Sequence, residues 1–218
     1  MTLLTYHPPV DPYLVILHQD DDIVVINKPG GLLSVPGKAL EHYDSAWSRL
    51  VRVLPTTRVV HRLDMATSGL LVFALNKPAQ AALQRQFEKR LVSKSYRARV
   101  WGQPPAEAGS VNAPLRCDWP NRPRQMVDHE AGRHALTHYR VLHQHQQCAD
   151  VELTPVTGRS HQLRVHMQLL GNPILGDKFY AEGAAFAAAD RLLLHAERIE
   201  FSHPVSGKPM SFVCPADF

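Results

Sequence analysis

Cysteine is scarce. The chain has three in 218 residues, Cys117, Cys148 and Cys214, odd in number and widely spaced. That argues against a disulfide framework and against a cysteine-based zinc site, and it suits a reducing compartment. No apolar run approaches the ~18 residues of a membrane span, and the N-terminus lacks the charged-then-apolar build of a secretory signal. A cytoplasmic protein with no membrane partner is expected. Internal repeats and linker-like stretches are also missing. Histidine is plentiful, at 13 residues, but His143 with His145, and His161 with His166, miss the i,i+4 interval that sets two ligands on one helix face. No metal is therefore expected, and a metal-dependent Asp/His hydrolase is disfavoured.

The composition is that of a globular protein, 44% hydrophobic and 20% charged, with enough apolar residues to bury a substantial core. The net charge of +4 is only mildly basic, and its arrangement says more than its size. Arg85, Lys89, Arg90, Lys94, Arg97 and Arg99 fall close together, and Arg116, Arg122 and Arg124 form a second group. Such clusters are the electrostatic footprint of a phosphate-backbone partner, although a solvated surface gives the same pattern.

Residues 59 to 75 organise the chain. Leu70 to Leu75 is a continuous apolar run, which predicts a buried strand. Thr67-Ser68-Gly69 before it is turn chemistry, and His61, Arg62 and Asp64 crowd polar groups into the approach. A carboxylate at the rim of a core is placed where a cleft can form, so Asp64 is the candidate catalytic residue. Closing a turn is the plainer role for it.

Around this centre, residues 1–13 carry three prolines and predict a surface arm. Leu14–Leu17 and Ile23–Asn27 predict a hairpin turning at residues 19–22, broken by Lys28-Pro29-Gly30-Gly31. A helix capped by Asp44 or Ser45 is expected to run to Leu54, and another, capped by Asn76, to about Arg90. Ser93 to Trp101 alternates, with Ser93, Ser95, Arg97 and Arg99 on one face and Lys94, Tyr96, Ala98 and Val100 on the other. The segment 111–128 has weak strand signals. Ala135–Leu142 and Cys148–Val156 predict a hairpin, Ser160 a helix cap with Gly171 closing at the C′ position, and Arg191–Phe201 with Met210–Val213 a last strand pair. Many strands, about three helices and no regular βα alternation indicate an α+β domain on a mixed, largely antiparallel sheet with flanking helices.

His61-Arg62-Leu63-Asp64 with Thr67-Ser68-Gly69 resembles the signature of the RluA-type pseudouridine synthases. Lys28-Pro29 with Gly31-Leu32-Leu33 resembles that family's opening segment. Lys94-Ser95-Tyr96-Arg97-Ala98 resembles its second motif and the run from Gly158 to His166 its third. Gly171-Asn172-Pro173-Ile174, Gly176-Asp177 and Leu193-Leu194-His195-Ala196 complete a set in the right order from residue 23 to 196. The resemblance implies a mixed sheet crossed by a catalytic cleft. It also implies one catalytic domain over residues 1–218 without an N-terminal RNA-binding module.

The chemistry so implied breaks the bond from C1′ to N1 of a uridine, turns the uracil and rejoins it through C5, with no cofactor and no oxidation. By resemblance Asp64 is the carboxylate, as nucleophile at C1′ or as base on a glycal route, and both routes stay open. Tyr96 would stack on the uracil and help with the C5 proton; an ordinary core aromatic is its plainer reading. Arg164 would pair with Asp64 and keep it ionised, with Arg159 the near alternative and a member of the substrate-binding set. Arg62 would fill the gap left by the extruded uridine, and Leu193 and Leu194 would wall the base pocket. His61 is counted with the substrate-binding residues by its place in the motif, although it and His166 read as structural hydrogen-bonders. The expected partners are a large-subunit rRNA hairpin and the tRNA anticodon stem-loop, met by a monomer. A catalytically silent RNA-binding module of the same fold is the rival.

Overall fold

In the computed structural model, which describes residues 6–218, Asp20 organises the first turn. Its Oδ1 accepts from the backbone N–H groups of Asp22 and Ile23, at 2.8 Å each. This joins β1 (Val15–Gln19) to β2 (Ile23–Lys28) as the antiparallel hairpin that the sequence predicts. Of the expected arm, residues 1–5 lie outside the described residues. Residues 6–13 form no helix or strand and are pinned by the buried Arg49, which donates to the Pro9 and Tyr13 carbonyls and to Asp44. The caps at Ser45 and Asn76 form as expected. Ser45 makes a reciprocal box with Ser48 at the start of α1 (Ala46–Val51), and Asn76 Oδ1 accepts from Ala79 N–H at the start of α2 (Lys77–Glu88). Both helices stop short of the expected ends. Arg90 takes a left-handed φ of 58° and closes α2 where glycine is usual.

Between them lie the short β3 (Arg58–Val59) and β4 (Ser68–Ala74), every residue of which is buried. β2 pairs antiparallel with β4 from Ile23↔Ala74 to Lys28↔Gly69, and β3 pairs with β4 at Arg58↔Ala74 and Val59↔Phe73, so the loop between β3 and β4 starts and ends in paired strands. The core here joins Ile23, Val25, Leu70, Val72, Ala79 and Leu83 with Ile199 and Phe201. Fully burying a side chain of this kind contributes about 1.5–3 kcal/mol. These elements, with Ala196–Pro215, make up one compact unit of the chain.

The second unit spans Lys94–His195 with Ala216–Phe218. It contains β5 (Ser93–Trp101), whose bounds match the alternating run, then β6 (Ala108–Asn112) and a small separate hairpin of β7 (Leu115–Cys117) and β8 (Gln125–Val127). β9 (Leu136–Gln144) and β10 (Cys148–Pro155) form the expected hairpin, with β10 also paired to β5 and β9 to β6, all antiparallel. α3 (Gln162–Leu169) corrects one expectation: its N-cap position is His161, not Ser160. The entry is closed instead by the Gln162 amide oxygen, which accepts from Arg159 N–H and from the Thr157 hydroxyl. Gly171, at φ +86°, ends α3 as expected, with Asn172 N–H reaching back to Met167 O and Gly171 N–H to Gln168 O. A short α4 (Gly183–Ala187) went unread in the sequence. β11 (Leu194–Ser202) starts in this unit and continues into the first, where β12 (Pro209–Val213) pairs with it. The fold is the mixed, largely antiparallel α+β class.

Candidate active site

Asp64 stands half-buried on the loop between β3 and β4, in a turn closed by Thr67 N–H donating to its carbonyl at 3.2 Å. Two side chains from distant residues staple this loop. On one flank the Ser34 hydroxyl donates to Leu63 O at 2.7 Å and accepts from Leu63 N–H at 3.0 Å. On the other, the ammonium of Lys28 donates to Met65 O at 3.1 Å, and also to Pro29 O and Leu32 O at 2.8 and 2.7 Å. Asp64 thus sits between two residues whose backbone is clamped. Just beyond, Gly69 has φ +109°, and a Cβ there would lie 2.4 Å from Ala196 O, so only glycine lets β4 begin where it does.

Lys28 has no solvent exposure, and its three donors meet three carbonyls. Burial pulls its pKa down from 10.5 to about 7, while the Asp64 carboxylate pulls it back up. Between about 7 and 10.5 the unfolded chain holds a proton that the folded chain has released. Stability therefore rises with pH across that window, by at most about 1.4 kcal/mol per unit, and Lys28 contributes no slope below it. Lys28→Met should remove this contribution. Denaturant unfolding of both proteins from pH 6 to 9 checks it, and profiles that stay parallel would refute the assignment.

His61 is anchored into the fold. Its Nε2 accepts from Val72 N–H at 3.1 Å and its ring stacks on Phe87 at 4.6 Å. An accepting Nε2 puts the proton of the neutral ring on Nδ1. The ring ties the motif to β4 and α2, the structural role that its side chain suggested. Arg62, next in the chain, is exposed.

In the second unit, Tyr96 lies half-buried on β5 opposite Leu153, on the face of the buried Ala98 and Val100. Lys94 shares that face, and burial lowers its pKa. A Cβ at Gly158 would be 3.9 Å from the Lys94 ammonium, so the second and third motifs meet there. Arg164, 3% exposed, places Nε and Nη2 on the two oxygens of Asp177 at 2.7 and 2.6 Å. Asp177 Oδ1 also accepts from the N–H groups of Phe179 and Tyr180. A buried carboxylate with this many donors fixes the guanidinium plane.

Nearby, His166 sits between Thr137 Oγ1 and Ala113 O, and burial lowers its pKa. The Arg159 guanidinium donates to His134 O. Leu193 packs partly against Leu175, Ala181 and Ala185, and Leu194 is buried.

Among the described residues, Asp20, Asp22 and His203 are grouped closely enough to hold a cation. His203 Nδ1, however, accepts from Val205 and Ser206 N–H, which leaves the proton on Nε2 facing Asp20 at 3.3 Å. That tautomer makes Nε2 a hydrogen-bond donor to Asp20, with no lone pair aimed at the carboxylates.

The sequence assigns no role to four residues that shape these sites: Lys28, Gln162 and Asp177, which lie within the motifs, and Ser34, which does not. Lys28 had a signal, a lysine ending the apolar run Ile23–Asn27, where a charge needs buried partners. Asp177 was visible within a motif but had no assigned role, because its partner lies thirteen residues away across a turn.

The chain matches the family model described as RNA pseudouridylate synthase over residues 22–169. It is 56% identical, over all of both chains, to the dual-specificity RNA pseudouridine synthase RluA of Escherichia coli K12. It is 54% identical to that of Vibrio vulnificus, covering all of this chain and 89% of the relative. Among solved structures, human RNA pseudouridylate synthase domain containing 1 matches 97% of this chain and 87% of its own, with 29% identity and a TM-score of 0.80.

Proposed function

This chain belongs to the RNA pseudouridylate synthase family, an isomerase that acts on RNA, and from that premise we propose which uridines it takes and which residues do the work. The substrates are uridines in short stem-loops of large-subunit rRNA and in the tRNA anticodon loop. This agrees with the dual specificity in the names of relatives at 54–56% identity. Asp64 supplies the carboxylate at the ribose as the C1′–N1 bond breaks. The uracil turns, C5 bonds to C1′, the C5 proton leaves and N1 takes one up. Tyr96 stacks on the uracil and assists the C5 proton, and Arg164 supplies the counter-charge that favours ionised Asp64. Arg62, exposed beside Asp64, fills the space of the extruded uridine, and Leu193 and Leu194 wall the base.

Support comes chiefly from the Asp64 loop. A residue that merely closed a turn would not need Ser34 and Lys28 to clamp the backbone on both sides of it. Clamping of this kind is what holding a reacting group in place requires. Loop bases are already splayed, so extruding one costs less than from a duplex, a few kcal/mol at most.

Isolated stem-loops from both RNAs should be modified in vitro, with affinity falling steeply as salt rises. Incubation of each with purified protein, followed by pseudouridine mapping, tests this. Modification of intact ribosomal particles alone would refute the stem-loop reading, and no modification of any RNA would favour the silent binding module.

A further inference from the structure

The β7–β8 hairpin carries a large aromatic surface that the fold does not use. Trp119 is 66% exposed, in a 3-10 turn at the hairpin tip. Arg122 lies over its ring, with Cζ 3.8 Å from the centroid, and its Nε donates back to Trp119 O at 3.0 Å. One indole face is thereby covered by a flat cation whose orientation is already fixed.

The hairpin is stiff as well as exposed. Asp118 N–H donates to Arg124 O, Gln125 N–H donates to the Tyr180 hydroxyl at 2.7 Å, and Leu115 packs with Ala135, Val165 and Tyr180. Beside the tip is an open depression of about 410 Å³, rimmed by Arg124, Met126, Leu169 and Tyr180. Met126 and Leu169 are themselves 37% and 54% exposed. Arg116 is held by Asp128, whereas Arg122 and Arg124 lie over the rings of Trp119 and Tyr180. Their charge is available to an anion.

We propose that this hairpin is an RNA-docking element of the second unit, in which Trp119 stacks on an unpaired base and Arg122 and Arg124 hold the adjoining phosphates. The inference rests on the synthase reading for its choice of partner, and adds a contact remote in sequence from every motif of the candidate site. A rigid aromatic face with cations beside it is the chemistry that takes single-stranded nucleic acid, because every base has a π-face and every linkage a charge. The stacked guanidinium holds the indole in place through its cation–π contact. A paired base has no exposed face to offer, so the occupant is unpaired.

The test uses the full chain, a short RNA hairpin with an unpaired loop and a full-length tRNA transcript. Dissociation constants, KM, kcat and melting temperature are measured for the wild type and for Trp119→Ala, Trp119→Phe and Arg122→Ala. Trp119→Ala should weaken binding and raise KM by about tenfold, the size of one lost stack, with kcat and melting unchanged. Trp119→Phe should keep most of the affinity, and Arg122→Ala should lower the salt slope by about one. Affinity within twofold of wild type on both RNAs for Trp119→Ala would overturn the proposal. So would a change in self-association, by sedimentation, without a change in RNA affinity. A wild type that makes no pseudouridine would overturn the synthase reading instead, and the difference in RNA affinity would still decide this one.

Discussion

Asp64→Asn is expected to abolish pseudouridine formation while leaving RNA affinity within about tenfold of wild type. The amide is nearly isosteric but brings no anion to the ribose. Affinity for RNA comes mainly from phosphate contacts that Asp64, an anion, does not make. The fold should survive, because the staples on the loop run through backbone atoms of Leu63 and Met65, which the substitution leaves in place. Lys28 keeps its three carbonyl partners and loses only the charge that raises its pKa. Single-turnover assays with a stem-loop, paired with binding isotherms, read both quantities. Substantial turnover by Asp64→Asn would remove Asp64 from the reaction, and loss of binding with loss of turnover would make it a folding or docking residue.

The second large effect belongs to Asp177. Its carboxylate, 1% exposed, takes two donors from Arg164 and two from the backbone at Phe179 and Tyr180. Asp177→Ala strands a buried guanidinium, and breaking such a pair from one side costs about 3–5 kcal/mol. The double variant Asp177→Ala/Arg164→Met should cost less than the sum of the two single changes, since no charge is then left unpaired. Equilibrium unfolding in denaturant gives all three values, and additive costs would contradict the pair. Asp177→Asn offers a milder probe, because its amide oxygen can still accept from the Phe179 and Tyr180 N–H groups. If the role of Asp177 is to orient Arg164, this variant should lower kcat more than it raises KM.

What could be read from the chain alone follows a physical rule. The alternation of Ser93–Trp101 gives β5 its bounds to the residue, because a strand's two faces repeat every second side chain. Ser45 and Asn76 cap α1 and α2, and Gly171 closes α3, through hydrogen bonds to residues within five positions along the chain. The motif order was legible too, and the family match over residues 22–169 agrees with it. Where local reading failed, a distant group had won. The cap expected at Ser160 is displaced by the Gln162 amide, which also donates to Leu136 O and Thr137 Oγ1, some 25 residues back.

The clamps on Asp64 come from Ser34 and Lys28, 29 and 37 residues from the carbonyls that they hold, and nothing in the spacing of either records the partner. Arg164 reads as a cation for Asp64 in the sequence, whereas nothing in the sequence marks Asp177 as the carboxylate that its guanidinium grips. Periodicity and capping are settled between neighbours in the chain and leave a pattern there. A buried ammonium or guanidinium must instead find acceptors wherever folding brings them, so its partners are decided only once the chain has closed around it.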